Sequence, residues 1–285
     1  MKKIKKNICF LLIICSLSIL FNVVNTDTGY GEVYNQTKNQ NKTEKIDVFS
    51  ITDIDTLDSQ RLNIVKEKIL SFDTDEFVGF INNYIRLHMD NKQKIKDDLE
   101  KIGVYIEFAN NEQNISIQKI EAYEMEHEIA IARRAGSQLY YVSYMFKFNK
   151  KETCPGSYDV LGLFWDSDRL SYDNYSTSET KYVDLRDITN KKKGTLVFNV
   201  FDKNIEVGKY YYATVVLAPK VVDGNWYEVG AKYTHTFTTT QTTISLSNKI
   251  DYGGSGVVSG SIGYTVTINQ IEQMWEKAAD NAFKY

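Results

Sequence analysis

Two hydrophobic periods follow one another along the chain, and each predicts its own kind of element. Between positions 58 and 102, apolar residues recur every three to four positions, the period of an amphipathic helix. Asp73 precedes one such stripe and Glu76 follows three residues later, the arrangement of a capping box. Gly103 then offers a helix stop. This pattern predicts two or three helices in a helical region at 51–103.

After Gly103 the apolar period changes to two, which is the period of a strand with one buried face. Met125, His127 and Ile129 alternate with Glu124, Glu126 and Glu128 in this way. Further strand-sized apolar runs lie at 142–148, 160–165, 196–201, 210–218 and 229–237. Because turn-rich segments separate these runs, the pattern predicts an antiparallel β-sandwich over 104–240.

Two features of the strand region are typical of a known class of sandwich. Trp165 ends the apolar run at 160–165, and the segment 205–212 places tyrosines directly after a Gly-Lys turn. With these features, the segment from about 115 to 240 resembles an immunoglobulin-like or fibronectin type III sandwich. The resemblance implies that 160–165 is strand C and that 205–212 is the corner leading into strand F. It implies an architecture and no particular activity.

Beyond the sandwich, residues 241–285 predict a β-hairpin followed by a short C-terminal helix. The hairpin turn lies at 251–256, and a helix from about 270 to 283 presents Met274, Trp275 and Ala278 to a neighbour. The predicted fold class is therefore α+β. It consists of an N-terminal helical region, an antiparallel Ig-like β-sandwich, an extra C-terminal hairpin and a short C-terminal helix.

The amino terminus predicts export. Lysines at positions 2, 3, 5 and 6 precede an apolar run at 8–24, which is the layout of a signal peptide. We expect a signal peptide at 1–26, with a retained membrane anchor as the alternative. Residues 27–50 are polar and predict a disordered leader. The Lys- and Asn-rich composition with two prolines is typical of a low-GC Gram-positive bacterium.

Net charge argues against one class of partner, and the cysteine count argues against an internal disulfide. The formal net charge is −3, and removal of the four amino-terminal lysines lowers it to −7. An acidic chain without a basic stripe is a poor ligand for nucleic acid, so no nucleic-acid partner is expected. Cys154 is the one cysteine that follows the signal, so no internal disulfide is expected.

No local motif predicts catalysis, a cofactor or a metal. The segment beginning His127-Glu128 lacks the second histidine of a zinc-binding helix and has the period of a strand. His127 and His235 both lie among apolar strand residues, which predicts hydrogen-bonded histidines in the core. Cys154 lies in a Cys-Pro-Gly turn without a nucleophile signature. We therefore predict no catalytic residue, no cofactor and no metal ligand.

Twenty tyrosines are many for this length, and a tyrosine surface suits the binding of proteins or sugars. The candidate binding-surface aromatics are Tyr140, Tyr211, Trp226 and Tyr227. The alternative is that tyrosine fills strands, where it is favoured. The predicted signal peptide, the sandwich pattern and the lack of a site motif together predict a secreted, non-catalytic bacterial binding module. Its aromatic surface would bind an extracellular protein or a glycan.

A second hypothesis concerns the segment from 233 to 268. Its arms are long enough to cross a bilayer as strands and alternate as lipid-facing strands do. The residues that would insert are Val258, Ile262, Tyr264 and Val266. This hypothesis predicts a membrane-active toxin of the β-hairpin pore-forming or bacteriocin-like kind. A hairpin that packs on the sandwich explains the same alternation.

Overall fold

A computed structural model describes residues 46–109, 112–113, 124–152, 158–237, 242–245, 265–268 and 273–284. Three helices come first: α1 (Ser59–Ser71), α2 (Thr74–His88) and α3 (Lys92–Lys101). The strands that follow are β1 (Val104–Phe108), β2 (Glu112–Gln113), β3 (Met125–Arg134), β4 (Tyr140–Phe148), β5 (Asp159–Trp165), β6 (Leu170–Thr177), β7 (Val183–Asp187), β8 (Thr195–Val200), β9 (Tyr211–Pro219), β10 (Trp226–Phe237), β11 (Thr242–Ser245), β12 (Thr265–Ile268) and β13 (Gln273–Lys284).

Each helix begins at a side chain that caps its first turn. Asp58, Asp73 and Asn91 accept hydrogen bonds from backbone N–H groups three residues on. Asp73 and Glu76 form both bonds of the predicted capping box. The N-terminal three-helix region is therefore set by local signals that the sequence displays.

The strands form two antiparallel sheets. One sheet has the order β1-β3-β4-β9-β6, and the other has the order β2-β13-β10-β5-β8-β7. β11 and β12 form a separate antiparallel pair. The predicted fold class, an α+β chain with helices followed by a two-sheet sandwich, is confirmed.

The five-stranded sheet is covered on both faces. One face of β4, with Tyr144 and Phe146, packs into the core between the sheets. The opposite face, with Tyr141 and Met145, packs against the helices. Nearly every residue of β4 is therefore buried, whereas the period of two in the sequence predicted strands with one solvent-exposed face. The helical layer, which strand periodicity does not show, accounts for the difference.

Phe77 on α2 joins the helices to the sheet. Its ring centroid lies 4.5 Å from that of Tyr141 on β4. The Arg134 guanidinium lies 4.7 Å from the Phe77 ring and donates to the Phe72 carbonyl oxygen. Phe77 itself is fully buried. These contacts fix α2 to one place on the five-stranded sheet.

The sandwich differs from the immunoglobulin pattern in one pairing. Trp165 is buried at the end of β5, and the Tyr211 hydroxyl accepts a hydrogen bond of 2.9 Å from the Glu206 N–H, as in a tyrosine corner. However, β9 pairs with β4 and β6, while β5 pairs with β8 and β10. The predicted strand F at 210–218 therefore lies in the sheet opposite the predicted strand C.

The predicted C-terminal helix is wrong, because residues 273–284 form β13, which pairs with β10 along its whole length. Trp275, Ala279 and Phe283 all lie in the core between the sheets. A spacing of four residues puts side chains on one face of a helix and equally on one face of a strand. The strand forms because all twelve residues of β13 pair with β10.

The described residues include the carboxyl end of the predicted leader. Asp47 caps a single 3-10 turn at Val48–Ser50, and Val48 is fully buried. The leader predicted at 27–50 therefore extends too far at its carboxyl end, because Val48 packs in the helical core. The predicted signal peptide and residues 27–45 lie outside the described residues.

Asp98 anchors the helical layer through a buried ion-pair network. Its carboxylate is 1% exposed and accepts hydrogen bonds from the Tyr84 hydroxyl at 2.6 Å and from Lys94 at 2.7 Å. Lys101 contacts its other oxygen at 3.0 Å. Burial alone would raise the pKa of Asp98, but the hydrogen bonds from Lys94, Tyr84 and Lys101 lower it to about 2.

We expect Asp98→Asn to lower the free energy of unfolding by about 1–2 kcal/mol at pH 7. A depressed folded-state pKa stabilises the fold above the unfolded pKa of 3.8, and this contribution is lost as the pH falls through about 2. Urea unfolding between pH 2 and 7 measures the effect. Asp97→Asn, which changes an exposed neighbour, is the control. If both substitutions changed the free energy of unfolding equally at pH 7, the result would contradict a stabilising role for the Asp98 network.

Candidate functional site

Of the four aromatic residues predicted to form a binding surface, Trp226 is exposed, with 58% of its surface accessible. Tyr140, Tyr211 and Tyr227 are buried, so the predicted surface position is wrong for these three. All three lie in the core between the sheets, where tyrosine fills strands as the alternative predicted.

Trp226 and Tyr140 nevertheless meet at one feature, a groove of about 480 Å³ at the open edge of the sandwich. The groove lies between β1, the edge strand of the five-stranded sheet, and the last residues of β13 in the other sheet. We call it the edge groove. Its lining residues are 105–108, Ile131, Arg133, Tyr140, Trp226 and 281–284.

The edge groove has an apolar floor and an aromatic rim. Ile131, Tyr140 and Phe283 form the floor and are each almost fully buried. The rings of Tyr140 and Phe283 stack with centroids 4.1 Å apart. Tyr105 and Trp226 stand at the rim with 45% and 58% of their surfaces exposed. Exposed aromatic residues above an apolar floor are typical of a binding surface.

Cationic side chains lie against the aromatic rings of the edge groove. The Arg133 guanidinium lies 5.7 Å from the rings of both Tyr105 and Tyr140. The Lys284 ammonium lies 4.9 Å from the Trp226 ring. Glu107, the acid of the groove, forms an ion pair of 2.6 Å with Lys96. The charges at the groove therefore favour a partner that carries an acidic group.

The backbone of β1 adds a second kind of recognition. Two hydrogen bonds at the ends of its pairing with β3, Ala135 N–H to Gly103 O and Ala109 N–H to Ile129 O, fix which residues face β3. By the alternation of an antiparallel ladder, the N–H and C=O groups of Ile106 and Phe108 point outward. β1 is the last strand on its side of the described sheet. An outward row of this kind can pair with an added strand.

A second group of side chains lies at the opposite end of the sandwich. β4 and β10 begin at the edge groove, and their far ends carry Phe148 and His235. There His235, Asp159 at the start of β5 and Asp202 after β8 come together, with one ligand atom from each within 4.8 Å of the others. Together with Glu152, we call these residues the acid–histidine cluster.

Hydrogen bonds hold the acid–histidine cluster in place. His235 Nδ1 lies 2.8 Å from Asp159 Oδ2, and its Nε2 lies 2.9 Å from Glu152 Oε2. Asp159 also accepts from the Tyr233 hydroxyl at 2.6 Å and from the Thr236 N–H at 2.8 Å. Asp159 and His235 are essentially inaccessible to solvent.

The protonation states of the cluster follow from its charges. Burial by itself lowers the pKa of His235, but the charge and hydrogen bond of Asp159, and then Glu152, raise it to about 10. The ring is therefore an imidazolium at neutral pH, and both of its N–H groups donate to carboxylates. Burial, and then the negative charge of Asp159, raise the pKa of Asp202 to about 7.

Asp202 stands out within this cluster. Its side chain is almost completely buried, and its Oδ1 accepts from the Lys203 N–H at 2.8 Å. Its Oδ2 accepts no hydrogen bond from any of the described residues. Buried carboxylate oxygens normally have a partner, because an unsatisfied one costs about 1–3 kcal/mol. Asp202 and Glu152 also line a surface pocket of about 340 Å³.

The two histidines named from the sequence differ in their surroundings. His235 is buried and hydrogen-bonded, as predicted. His127 is also buried, but neither ring nitrogen has a hydrogen-bond partner among the described residues, so that part of the prediction is wrong. It packs against Tyr144 instead, and burial followed by the charge of Lys277 lowers its pKa to about 4.

Asp159, Asp202 and Glu152 were missed from the sequence. The one available signal is that Asp159 and Asp202 directly flank apolar strand runs, at 160–165 and 196–201. An acid at such a position is ordinarily solvated at the end of its strand. Only the pairing of β5 with β8 and β10 brings these carboxylates to His235.

The remaining predicted sites fall partly outside the described residues. Cys154, Val258, Ile262 and Tyr264 lie outside them. Val266 lies in β12, opposite Ile244 of β11. Tyr233–Phe237, predicted as the start of the hairpin arm, belong to β10 of the sandwich. Within the described part of the chain, no helix is both long and apolar enough to cross a membrane. Membrane insertion of the hairpin stays a prediction.

Comparisons with known proteins find solved structures that resemble about a third of the chain. No protein-family model matches the chain, and no curated protein matches it in sequence. The seventh ScaB type I cohesin from Pseudobacteroides cellulosolvens is 11% identical, with a TM-score of 0.27 over 34% of this chain and 69% of the cohesin.

Two further cohesin structures give similar values. The sixth cohesin of scaffoldin B from Acetivibrio cellulolyticus, in complex with a Cel5 dockerin mutant, is 12% identical, with a TM-score of 0.27 over 34% of this chain and 75% of that one. A cohesin–dockerin complex of OlpC from Clostridium thermocellum is 9% identical, with a TM-score of 0.25 over 33% of this chain and 70% of that one. This likeness covers a third of the chain, and it carries no functional assignment.

Proposed function

We propose that this chain is an extracellular, non-catalytic bacterial binding module whose edge groove takes up an extended segment of a partner protein. The observation that carries the proposal is the combination at one edge of an outward-facing strand, an apolar floor and an exposed tryptophan. The segment would pair with the backbone of Ile106 and Phe108 as an added strand. Its alternate side chains would enter the groove beside Trp226.

The arrangement of the rings supports a polypeptide rather than a sugar. A sugar stacks on an open aromatic face, but Arg133 and Lys284 already lie against the rings of Tyr105 and Trp226. A strand needs no open ring face, since its affinity comes from main-chain hydrogen bonds and its specificity from side-chain pockets. The same two cations favour a segment with an acidic residue near its anchor.

Trp226 supplies the main test of this function. Exposed tryptophans that become buried on binding are frequent hot spots, with truncation costs of 2 kcal/mol or more. We therefore expect Trp226→Ala to weaken binding by about 30-fold or more. The probes are peptides selected on the purified chain from a displayed random library, and a panel of oligosaccharides serves for comparison. Calorimetric titration measures each dissociation constant.

Phe49→Ala provides the matched control, because Phe49 is an exposed aromatic residue in the helical layer, with 46% of its surface accessible. We expect this variant to bind the selected peptides within about twofold of the original chain, since surface residues away from the contact contribute little. If the Trp226→Ala variant bound the selected peptides as tightly as the original chain, the result would contradict the proposal. Trp226-dependent binding of an oligosaccharide, with no peptide bound, would also contradict it.

A further inference from the structure

The acid–histidine cluster provides the ligand types that a transition-metal ion uses. An imidazole nitrogen and two carboxylate oxygens lie within 4.8 Å of one another, on His235, Asp159 and Asp202. Zinc takes ligands of these kinds at about 2.0–2.2 Å, which places neighbouring ligands about 3.4 Å apart in a tetrahedron. The separation of 2.8 Å between His235 Nδ1 and Asp159 Oδ2 would have to widen slightly for a metal to replace the shared proton.

Asp202 supplies an independent indication of a ligand. Its Oδ2 is a buried carboxylate oxygen without a hydrogen-bond partner among the described residues, beside a second buried carboxylate. Two adjacent buried carboxylates repel one another, so their retention is costly without a cation between them. The two ring nitrogens of His235 contact Asp159 and Glu152. Neither N–H group is bonded to Asp202.

We propose that Asp159, Asp202 and Nδ1 of His235 bind a divalent transition-metal ion of the zinc class. Glu152 would accept the Nε2–H bond and orient the ring, as carboxylates commonly do behind a metal-bound histidine. Binding replaces the Nδ1 proton with the metal, and that proton leaves to solvent. Three protein ligands leave a fourth position for water.

The pocket beside the cluster gives the ion a route from the surface. Glu152 and Asp202 line this pocket and also belong to the acid–histidine cluster, so the pocket reaches the cluster. Lys150, Lys151 and Lys203 also line the pocket, and their charges slow the arrival of a cation at low salt. Association that becomes faster as the salt concentration rises is therefore expected.

The donor set also selects among metals. Calcium and magnesium prefer oxygen ligands throughout, whereas an imidazole suits zinc and its neighbours. The other acidic group of the described residues, Asp53 with Asp55 and Asp98, already holds the ammonium groups of Lys94 and Lys101. Those two cations occupy the space between the carboxylates, so this second group is no metal site.

The test is a titration of the full chain with zinc after treatment with a chelator. We expect binding of one zinc ion per chain, a higher midpoint of thermal unfolding, and the visible absorption of a tetrahedral site when cobalt(II) replaces zinc. Calcium should leave the midpoint unchanged. Asp202→Asn should weaken zinc binding at least tenfold, because it replaces a charged ligand with a neutral amide.

Asp202→Asn removes a buried carboxylate that repels Asp159 and whose Oδ2 has no hydrogen-bond partner among the described residues, so we expect it to fold at least as well as the original chain. An unchanged circular dichroism spectrum without metal checks this. Asp55→Asn, in the second acidic group, is the matched control and should bind zinc like the original chain. Absence of one-to-one binding, or equal zinc affinity in Asp202→Asn and the original chain, would overturn the proposal. Tighter binding of calcium than zinc would overturn it as well.

Discussion

His235→Leu is expected to lower the free energy of unfolding by about 3–5 kcal/mol, because it leaves a buried carboxylate without its counter-charge. Asp159 would keep its bonds from Tyr233 and Thr236 but lose the imidazolium at 2.8 Å. Guanidinium unfolding at pH 7 in the presence of a chelator measures the change without any contribution from metal.

Two further variants separate the charge effect from lost packing. Glu152→Gln should cost less than the His235 substitution, because the new amide oxygen can still accept the Nε2–H bond and Asp159 still supplies a counter-charge to the ring. The double variant Asp159→Asn, His235→Leu should recover part of the loss, since it removes the unpaired charge. A loss below about 1 kcal/mol for His235→Leu, or no recovery in the double variant, would contradict the buried ion pair.

Phe77→Ala is expected to lower the free energy of unfolding by about 3–5 kcal/mol, the usual cost of emptying a buried phenylalanine site. The substitution removes the ring that packs on Tyr141 and Arg134, which is the main aromatic contact between α2 and the five-stranded sheet. Because the helices bury one face of that sheet, we expect helices and strands to unfold in a single transition. Far-UV circular dichroism and tryptophan fluorescence measured in one titration test this.

Leu87→Ala is the control in the same helix, since Leu87 is 43% exposed and should cost less than about 1 kcal/mol. Coincident transitions at a lower denaturant concentration support one cooperative unit. Loss of the helical signal while the fluorescence transition stays unchanged would show that the helices are stabilised independently of the sandwich.

Local signals correctly predicted the N-terminal helices and six strands of the sandwich, β3, β4, β5, β8, β9 and β10, for physical reasons. A capping box such as Asp73 with Glu76 involves atoms within one turn, so the sequence displays the whole interaction. The hydrogen bond from the Glu206 N–H to the Tyr211 hydroxyl is similarly local, since it spans five residues. Features of this range require no knowledge of how distant segments pack.

Long-range features were predicted poorly. The periodicity of Trp275, Ala279 and Phe283 suits a helix and a strand alike, and β10 alone decides between them. Tyr140 and Tyr227 are buried because the two sheets close over them, which residue type does not reveal. The acid–histidine cluster joins residues up to 83 positions apart, and no local spacing marks it.

The edge groove and the acid–histidine cluster lie at opposite ends of β4 and β10. Substitutions in one are therefore expected to leave the other unchanged, since distant sites without shared partners behave additively. This separation makes Asp202→Asn a control for peptide binding and Trp226→Ala a control for zinc binding.

Amide hydrogen exchange along β1 tests the binding proposal most directly. The N–H groups of Ile106 and Phe108 point away from β3, so they exchange readily unless another strand accepts them. When the chain is saturated with a selected peptide, we expect both amides to become strongly protected while exchange at the acid–histidine cluster stays the same. Unchanged exchange at Ile106 and Phe108 in the saturated complex would contradict strand addition at the edge groove.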